Sequence, residues 1–107
     1  VVVEYIDNEM SVVESNYATN FLLTPGDYDF GTGQDRFAVL EEAYETSGGA
    51  MTAAEVMDTL QSVSQDKRSE GKDTWTQWSV VYDTENLTAT VCYGMDYETV
   101  YQYSLAE

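Results

Sequence analysis

The sequence contains no histidine and a single cysteine, Cys92. Without histidine, the chain by itself cannot assemble a Ser-His-Asp triad, a Cys-His dyad or a zinc site with histidine ligands. One cysteine excludes an intrachain disulfide and a zinc site built from several cysteines. Cys92 lies in a predicted strand between Val91 and Tyr93, with no positive neighbour to lower its pKa. We therefore expect a small buried apolar residue rather than a nucleophile.

The sequence also has very few basic residues. Its 107 residues include 4 Lys and Arg against 20 Asp and Glu, which gives a formal net charge of −16. Four cations cannot follow a phosphate backbone, which excludes nucleic-acid binding, and the same charge opposes an anionic membrane surface. No apolar run approaches the roughly 20 residues that span a bilayer. The charge predicts a soluble, self-repelling surface suited to a salty setting. It leaves the compartment open, whether cytoplasmic or secreted in a bacterium.

Residues with high strand propensity dominate both ends of the chain. Hydrophobic residues make up 43% of the sequence, and its nine Tyr together with many Val and Thr favour pleated, half-buried strands. The first block predicts a hairpin of strands over 1–6 and 10–13 around the turn Asp7-Asn8, followed by a short strand over 16–23. The last block predicts a three-strand antiparallel meander, with strands over 76–82, 87–93 and 98–105.

In the middle of the chain, the spacing of apolar residues becomes that of helices. Phe37, Leu40 and Tyr44 recur at intervals of three and four residues, and the helix that they predict ends at Ser47-Gly48-Gly49. The segment Thr52-Ala53-Ala54-Glu55 has the form of a capping box, which satisfies two backbone N–H groups at a helix start. It predicts a second helix that continues to about Gln65.

Between the second helix and the meander, residues 66–74 hold three of the four basic residues. We interpret this segment as a solvated loop rather than a binding patch. The order of elements is strands, two helices and strands again. It predicts an α+β fold with the helices on one face of a sheet, in a single domain over residues 1–107.

The segment Asp27-Tyr28-Asp29-Phe30-Gly31 begins like a calcium-binding loop. An EF-hand loop then requires Gly at its sixth position and Glu at its twelfth, where this sequence has Thr32 and Ala38. We interpret the segment as a polar loop whose Asp side chains cap turns, with a calcium module as an alternative. No cofactor or metal is expected.

Two polar residues, Asn20 and Arg36, suggest a functional role. Asn20 lies where a predicted strand becomes a loop, and its side-chain amide there could donate hydrogen bonds to a developing oxyanion. Arg36 is the only cation in the first 66 residues. It lies near a helix start, where the helix dipole disfavours positive charge. From their spacing alone, we favour an asparagine that caps a turn and an arginine paired with a carboxylate.

Around these residues the sequence resembles the choloylglycine hydrolases, also called linear amide C–N hydrolases, which include bile salt hydrolases and penicillin V acylases. Tyr17-Ala18-Thr19-Asn20-Phe21 resembles the Thr-Asn strand end of that family, and Gly33-Gln34-Asp35-Arg36-Phe37 resembles its Ser-Arg-Phe or Asp-Arg-Phe/Tyr helix start. Thr76-Gln77-Trp78-Ser79-Val80-Val81-Tyr82-Asp83 is similar to a late strand of the family, and the strand ending in Cys92-Tyr93 follows it. The resemblance runs in order over almost the whole chain.

The resemblance implies a fold and a place within it. The family consists of N-terminal-nucleophile hydrolases, whose fold is a four-layer αββα sandwich. It implies that this chain is the C-terminal half of a larger catalytic domain, with two helices in one outer layer and strands in the two inner sheets. The family's nucleophile is an N-terminal Cys whose α-amino group acts as the base. Since residue 1 is Val and no initiator Met is present, that Cys is expected upstream, and the 107 residues by themselves are expected to be inactive.

The resemblance also implies the site residues. Asn20 matches the Asn whose amide helps to form the oxyanion hole, Arg36 matches the Arg close to the catalytic thiol, and Thr19 is expected to shape the substrate site. The implied function is hydrolysis of a linear, non-peptide amide, a bile-salt or penicillin-V-like N-acyl compound. The expected partners are that small-molecule substrate, the upstream part of the polypeptide and a second copy in a homo-oligomer. The alternatives are an acyltransferase of the same family and a non-catalytic acidic binding or structural module that uses its Tyr- and Trp-rich sheet face.

Overall fold

The computed structural model describes residues 1–106, which form two helices and two separate antiparallel sheets. The α+β fold class predicted from the sequence is therefore confirmed. Neither helix in the described residues is long and apolar enough to cross a membrane. The elements in chain order are β1 (Val2–Ile6), β2 (Glu9–Val13), α1 (Gln34–Ser47), α2 (Ala53–Ser62), a short 3₁₀ turn (Arg68–Glu70), β3 (Trp78–Asp83), β4 (Thr88–Tyr93) and β5 (Tyr101–Ser104).

The first two strands form the predicted hairpin. Asp7 and Asn8 have φ values of 52° and 66°, the left-handed backbone that a type I′ turn requires at both central residues. Asn and Asp tolerate this conformation better than other side chains, so the turn forms without glycine. One face of the hairpin carries Val3, Tyr5, Met10 and Val12, which are all more than half exposed.

The strand predicted over residues 16–23 is wrong. In this segment only Asn20 forms a bridge, to Thr32, through a Thr32 N–H that donates to the Asn20 carbonyl at 2.9 Å. The N–H groups of Leu23 and Thr24 donate to the buried carboxylate of Glu4, at 2.7 and 2.9 Å. At the end of the segment, the Glu4 carboxylate thus takes the place of a strand partner, and residues 16–23 run as a loop.

Helix α1 packs on this loop through its predicted apolar stripe. Tyr17 and Phe21 lie edge-on to Phe37, with ring centroids 4.9 and 5.2 Å apart, and Tyr17 also contacts Tyr44. Gly48 ends the helix in the left-handed conformation, as the sequence predicts. Because its stripe is covered by the loop and by α2, α1 does not lie on a sheet face, which corrects the expectation that both helices would.

Helix α2 begins with the predicted capping box, in which the Thr52 hydroxyl accepts from the Glu55 N–H and the Glu55 carboxylate accepts from the Thr52 N–H. Its apolar face packs on β3, and Met57 joins Val81 and Cys92 in a small buried core. Cys92 is 1% exposed, as expected for a small apolar residue. The helix ends at Ser62 rather than at the predicted Gln65.

The last three strands form the predicted antiparallel meander in the order β3-β4-β5. Side chains alternate across it, so that Ser79, Val81 and Cys92 face α2. The register brings a set of wholly uncharged, mostly apolar side chains to the opposite face, which we call the outer face: Trp78, Val80, Tyr82, Ala89, Val91, Tyr93, Tyr101 and Tyr103. Its five aromatic side chains are 47–65% exposed.

The dimensions of the chain agree with this exposure. Its radius of gyration is 15.7 Å, whereas a compact domain of this length has about 13 Å. Its accessible surface is 7816 Å², against about 6,000 Å² for a folded monomer of this mass. The excess of about 1,800 Å² is more than the roughly 800 Å² that one partner contributes to a standard protein interface.

Candidate active site

The predicted site residues Thr19, Asn20 and Arg36 meet at the start of α1. Arg36 lies in the first turn of this helix, and its guanidinium turns back toward the loop that carries the other two residues. The Arg36 Nη2 donates to the Asn20 Oδ1 at 2.7 Å. Residues 16 positions apart in sequence are thereby joined.

This hydrogen bond fixes the orientation of the Asn20 amide. An arginine side chain has only donors, so the atom that faces it must be the amide oxygen. With its oxygen held by Arg36, Asn20 has its NH₂ group available to another acceptor. A neutral donor held in this way is suited to stabilising negative charge that develops on a carbonyl oxygen.

Gly33 and Thr19 shape the surroundings of the arginine. Gly33 precedes α1 with a φ of 93°, and a Cβ atom there would lie 2.5 Å from the Arg36 Nη2 and 3.2 Å from the Thr19 Cβ. Only glycine therefore permits the guanidinium to lie this close to the backbone. The Thr19 hydroxyl donates to the Gly33 carbonyl at 2.9 Å, so Thr19 ties the loop to the helix start. Thr19 thus supports the site from behind.

The opposite wall of the site comes from residues 65–67 and 74–76, which run antiparallel to each other. The Thr76 N–H donates to the Gln65 carbonyl at 2.8 Å, and the Lys67 N–H donates to the Thr74 carbonyl at 2.9 Å. Asp66 and Trp75 form the bridge between them. This pairing takes Gln65 out of the helix that the sequence predicted for it.

Together these segments form an open pocket of about 340 Å³, lined by Asn20, Thr32, Arg36, Gln65, Lys67, Thr74, Trp75 and Thr76. We call it the Asn20 pocket. It contains two cations and no carboxylate in its lining, although the chain has 20 Asp and Glu. Two larger clefts have the opposite character, since one is lined by Asp83 and Glu85 and the other by Glu14, Glu41 and Glu45.

The other two cations of the chain are neutralised within their own loop. Arg68 donates to both oxygens of Asp66, at 2.8 and 2.6 Å, and these bonds hold the pKa of the Asp66 carboxyl at about 2. The Arg68 guanidinium also lies 4.4 Å from the centroid of the Trp75 ring. Lys72 pairs with Glu70 at 3.6 Å. Among residues 1–106, neither Arg36 nor Lys67 forms an ion pair.

Lys67 departs from the interpretation of residues 66–74 as a fully solvated loop. Its side chain is half-buried in the wall of the Asn20 pocket. The sequence could not reveal this, because the pairing of 65–67 with 74–76 carries Lys67 toward residues far away in the chain. Gly33 was missed for the same reason, although a glycine directly before a predicted helix indicates a backbone conformation with positive φ.

Other groups that the sequence singled out do not join the pocket. Cys92 is buried under α2, where desolvation, followed by the nearby Asp96, raises the pKa of its thiol. This is the opposite of what a nucleophile requires. In the part of the chain that the structure describes, no three His, Cys, Asp or Glu side chains converge as a metal site, Asp27 and Asp29 included.

Comparison with protein-family models, with curated proteins and with solved structures found no match for this chain. Its function must therefore be inferred from the residues of the pocket and from the short motifs that carry the resemblance.

Proposed function

We propose that this chain is the C-terminal part of a cysteine N-terminal-nucleophile amidase that hydrolyses a linear, non-peptide C–N amide. The observation that carries the proposal is the 2.7 Å hydrogen bond from the Arg36 Nη2 to the Asn20 Oδ1. It joins the two residues that resemble the oxyanion and thiol-adjacent residues of choloylglycine hydrolases, and the Asn20 NH₂ group remains available as a donor.

Asn20 stabilises the tetrahedral intermediate. Attack of a thiolate on the amide carbonyl places a negative charge on the carbonyl oxygen, and the Asn20 NH₂ donates a hydrogen bond to that oxygen. A rigid donor that interacts with negative charge only in the tetrahedral intermediate contributes about 3–4 kcal/mol to catalysis. Arg36 keeps the donor oriented, because it holds the amide oxygen of Asn20.

Arg36 also acts on the nucleophile. Its guanidinium has no carboxylate partner in residues 1–106, so its positive charge remains available to a thiolate. A nearby cation lowers the pKa of a thiol. The α-amino group of the N-terminal Cys serves as the base, which fits a chain without histidine. Water then releases the acyl group, or an amine does so in an acyltransferase.

The uncovered outer face supports the remaining part of the proposal. In an αββα sandwich, two sheets pack face to face, and each contributes an apolar face to the interior. The outer face of the β3-β4-β5 meander has this composition, and α2 covers the other side of the same sheet. A second sheet from upstream residues fits this surface.

The first experiment determines the intact mass and the N-terminal residue of the protein made from its natural gene. We expect a longer chain that begins with Cys and ends with this segment. If the mature protein begins at Val1 and has no Cys-bearing partner chain, the nucleophile is absent and the proposal is wrong.

The second experiment replaces Asn20 in that protein. With an N-acyl amide as substrate, Asn20→Ala should lower kcat by about 10²–10³-fold, because the oxyanion loses a donor. Asn16→Ala is the matched control, since Asn16 is exposed and lines a different cleft. It should retain full turnover, and both variants should melt within a few degrees of the parent protein. Unchanged kcat in Asn20→Ala would contradict the assignment.

A non-catalytic binding module is the second candidate, and the exposed aromatic outer face favours it. Trp78 and Tyr82, 65% and 64% exposed, are suited to stacking against a ligand or a partner. This function requires that the 107 residues fold alone as a stable monomer. Size-exclusion chromatography with light scattering separates the two candidates, because half a sandwich would associate through its open face.

A further inference from the structure

We infer that the space between α1 and α2 binds a small uncharged aromatic molecule that carries one hydrogen-bonding group, such as a phenol. This space, which we call the interhelical cavity, has a volume of about 270 Å³ and is bounded on its third side by the loop at Asn16-Tyr17. It shares no lining residue with the Asn20 pocket. The site is therefore additional to the proposed active site and does not depend on the amidase reaction.

The lining of the interhelical cavity contains no charged side chain. The chain has 20 Asp and Glu, and the Asn20 pocket and both acidic clefts include charged residues in their linings. An ion bound between the helices would lose its hydration without gaining a charge partner, which is costly. The cavity therefore selects an uncharged occupant.

The walls of the cavity are mostly apolar and are supported by the rest of the fold. Val56 and Leu60 of α2 line the cavity and also pack against the buried core. Tyr17 and Tyr44 line it from the loop and from α1, with ring centroids 5.8 Å apart. Met51, in the connection between the helices, has a flexible and polarizable side chain that adapts to the shape of a ligand. An aromatic ring bound here replaces water at these apolar surfaces, which is favourable.

The size of the cavity favours a small molecule over a protein segment. A volume of 270 Å³ corresponds to a sphere about 8 Å across, whereas an α-helix with its side chains is about 10–12 Å wide. A cavity of about 150 Å³ lined by Leu, Ile and Phe stays dry and binds benzene. The interhelical cavity therefore has room for a benzene ring with one or two substituents.

Tyr44 supplies a polar group to this apolar lining. Gly49 has a φ of 75°, and a Cβ atom there would lie 2.8 Å from the Tyr44 hydroxyl oxygen, so glycine leaves room for the hydroxyl at the cavity wall. The hydroxyls of Tyr17 and Tyr28 donate to acceptors within the chain, whereas the Tyr44 hydroxyl has no partner among residues 1–106. Because a tyrosine hydroxyl both donates and accepts, it can pair with the hydroxyl of a phenol.

The test measures binding to the protein made from its natural gene by isothermal titration calorimetry. The probe is p-cresol, which is compared with toluene, lacking the hydroxyl, and with benzylammonium, carrying a charge. We expect p-cresol to bind with a Kd below about 1 mM, toluene to bind more weakly, and benzylammonium not to displace p-cresol. Absence of p-cresol binding up to its solubility, or its displacement by benzylammonium, would overturn the inference.

Two tryptophan substitutions locate the binding. Leu40→Trp fills the cavity from α1 and should weaken p-cresol binding by about tenfold or more. Val39→Trp places the same side chain at the neighbouring, exposed position outside the cavity and should change the affinity less than about twofold. Equal affinities in these two variants would show that p-cresol binds elsewhere and would overturn the inference.

A tyrosine pair tests the hydrogen bond and decides the matter if Leu40→Trp fails to fold. Tyr44→Phe keeps the ring and removes only the hydroxyl, so p-cresol binding should weaken by about threefold to tenfold while toluene binding stays the same. Tyr5→Phe removes a hydroxyl from an exposed position of the hairpin and should leave both affinities unchanged. An unchanged p-cresol affinity in Tyr44→Phe would refute the site.

Discussion

At the scale of single residues, Glu4 is a buried carboxylate that joins two distant segments of the chain. Its side chain is buried in the first hairpin and accepts hydrogen bonds from the Leu23 N–H, the Thr24 N–H and the Thr24 hydroxyl, at 2.7, 2.9 and 2.6 Å. It thereby ties the hairpin to the loop that leads from Asn20 toward α1. Nothing in the local sequence distinguishes it from the 19 other acidic residues.

Replacing Glu4 with Gln should destabilise the protein. The NH₂ group of glutamine would face backbone and hydroxyl donors, so at least one buried donor would lose its acceptor. We expect the melting temperature to fall by about 5 °C or more. Glu9→Gln removes the same charge from an exposed position of the same hairpin and should shift it by less than about 2 °C. Equal shifts in the two variants would show that only the charge matters.

The same carboxylate gives a prediction for pH. The Thr24 hydroxyl and then the Leu23 N–H lower the pKa of Glu4 below its ordinary value of 4.5. A lowered folded-state pKa contributes stability above the pKa of the unfolded chain, and this contribution is lost as the pH falls through the folded-state value. The difference in melting temperature between the parent and Glu4→Gln should therefore be largest above pH 4.5 and should shrink below it. Calorimetry at several pH values measures this, and a gap that widens in acid would contradict it.

The site could be predicted in part at this scale. Asn20 stood out as a donor at a loop and Arg36 as a cation where a helix dipole disfavours it, but only the resemblance assigned them to a site. The structure brings them within 2.7 Å. Gly33 and Lys67 were missed. Their roles depend on contacts across the fold, which neighbouring residues in the sequence do not reveal.

At the scale of elements, the turns and helix ends that depend on neighbouring residues were predicted correctly from the sequence. The I′ turn at Asp7-Asn8, the capping box at Thr52 and the Gly48 helix end all depend on residues within four positions of one another. The strand predicted over 16–23 does not form; at its start the Tyr17 N–H donates to the Ser15 hydroxyl, and at its end the Leu23 N–H donates to Glu4, 19 positions away. Strand propensity carries no information about such a distant acceptor.

The ends of two elements differ from prediction for similar reasons. Helix α2 stops at Ser62 because Gln65 pairs with Thr76, whose hydroxyl also accepts from the Gln65 N–H at 2.9 Å. Strand β5 begins at Tyr101 rather than at Glu98, because the N–H groups of Glu98 and Thr99 donate to the Asp96 carboxylate. A side chain acceptor again replaces a strand partner.

The capping box of α2 can be tested directly. Thr52→Ala removes the acceptor of the Glu55 N–H, and the free energy of unfolding should fall by about 1 kcal/mol. Urea denaturation should show a lower midpoint with an unchanged slope. Thr46→Ala is the matched control on α1, where the exposed threonine makes no side-chain hydrogen bond within the described residues. It should be neutral or slightly stabilising, and a loss as large as that of Thr52→Ala would refute the role of the cap.

At the scale of the whole molecule, the chain buries little and exposes two apolar sheet faces. The small core of Met57, Val81 and Cys92 lies between α2 and the meander. The outer face of the meander and the Val3–Tyr5 face of the hairpin both point away from any helix that would cover them, among the described residues. A surface excess of about 1,800 Å² over that of a compact monomer has the size of a large interface.

The 107 residues in isolation should therefore associate, and salt should strengthen the association. The outer face carries no charge, while the rest of the molecule carries 20 carboxylates that repel a second copy. Raising the salt from about 0.05 M to about 0.5 M shortens the screening length and weakens that repulsion, without weakening apolar contacts. Light scattering after size-exclusion chromatography should show a larger mass at high salt, and a larger mass at low salt would mean that charge pairs hold the copies together.

Two lysine substitutions distinguish the effect of the outer face on association from the effect of net charge. Tyr82→Lys and Thr84→Lys each add one positive charge, but Tyr82 lies on the outer face and Thr84 in the exposed turn that follows β3. If the face drives association, Tyr82→Lys should reduce the mass even though it lowers the repulsion, because the burial of a lysine charge is costly. Thr84→Lys should leave the mass unchanged or raise it. A larger mass in both variants would instead show that net charge controls the association. It would contradict the proposal that a second sheet covers the outer face.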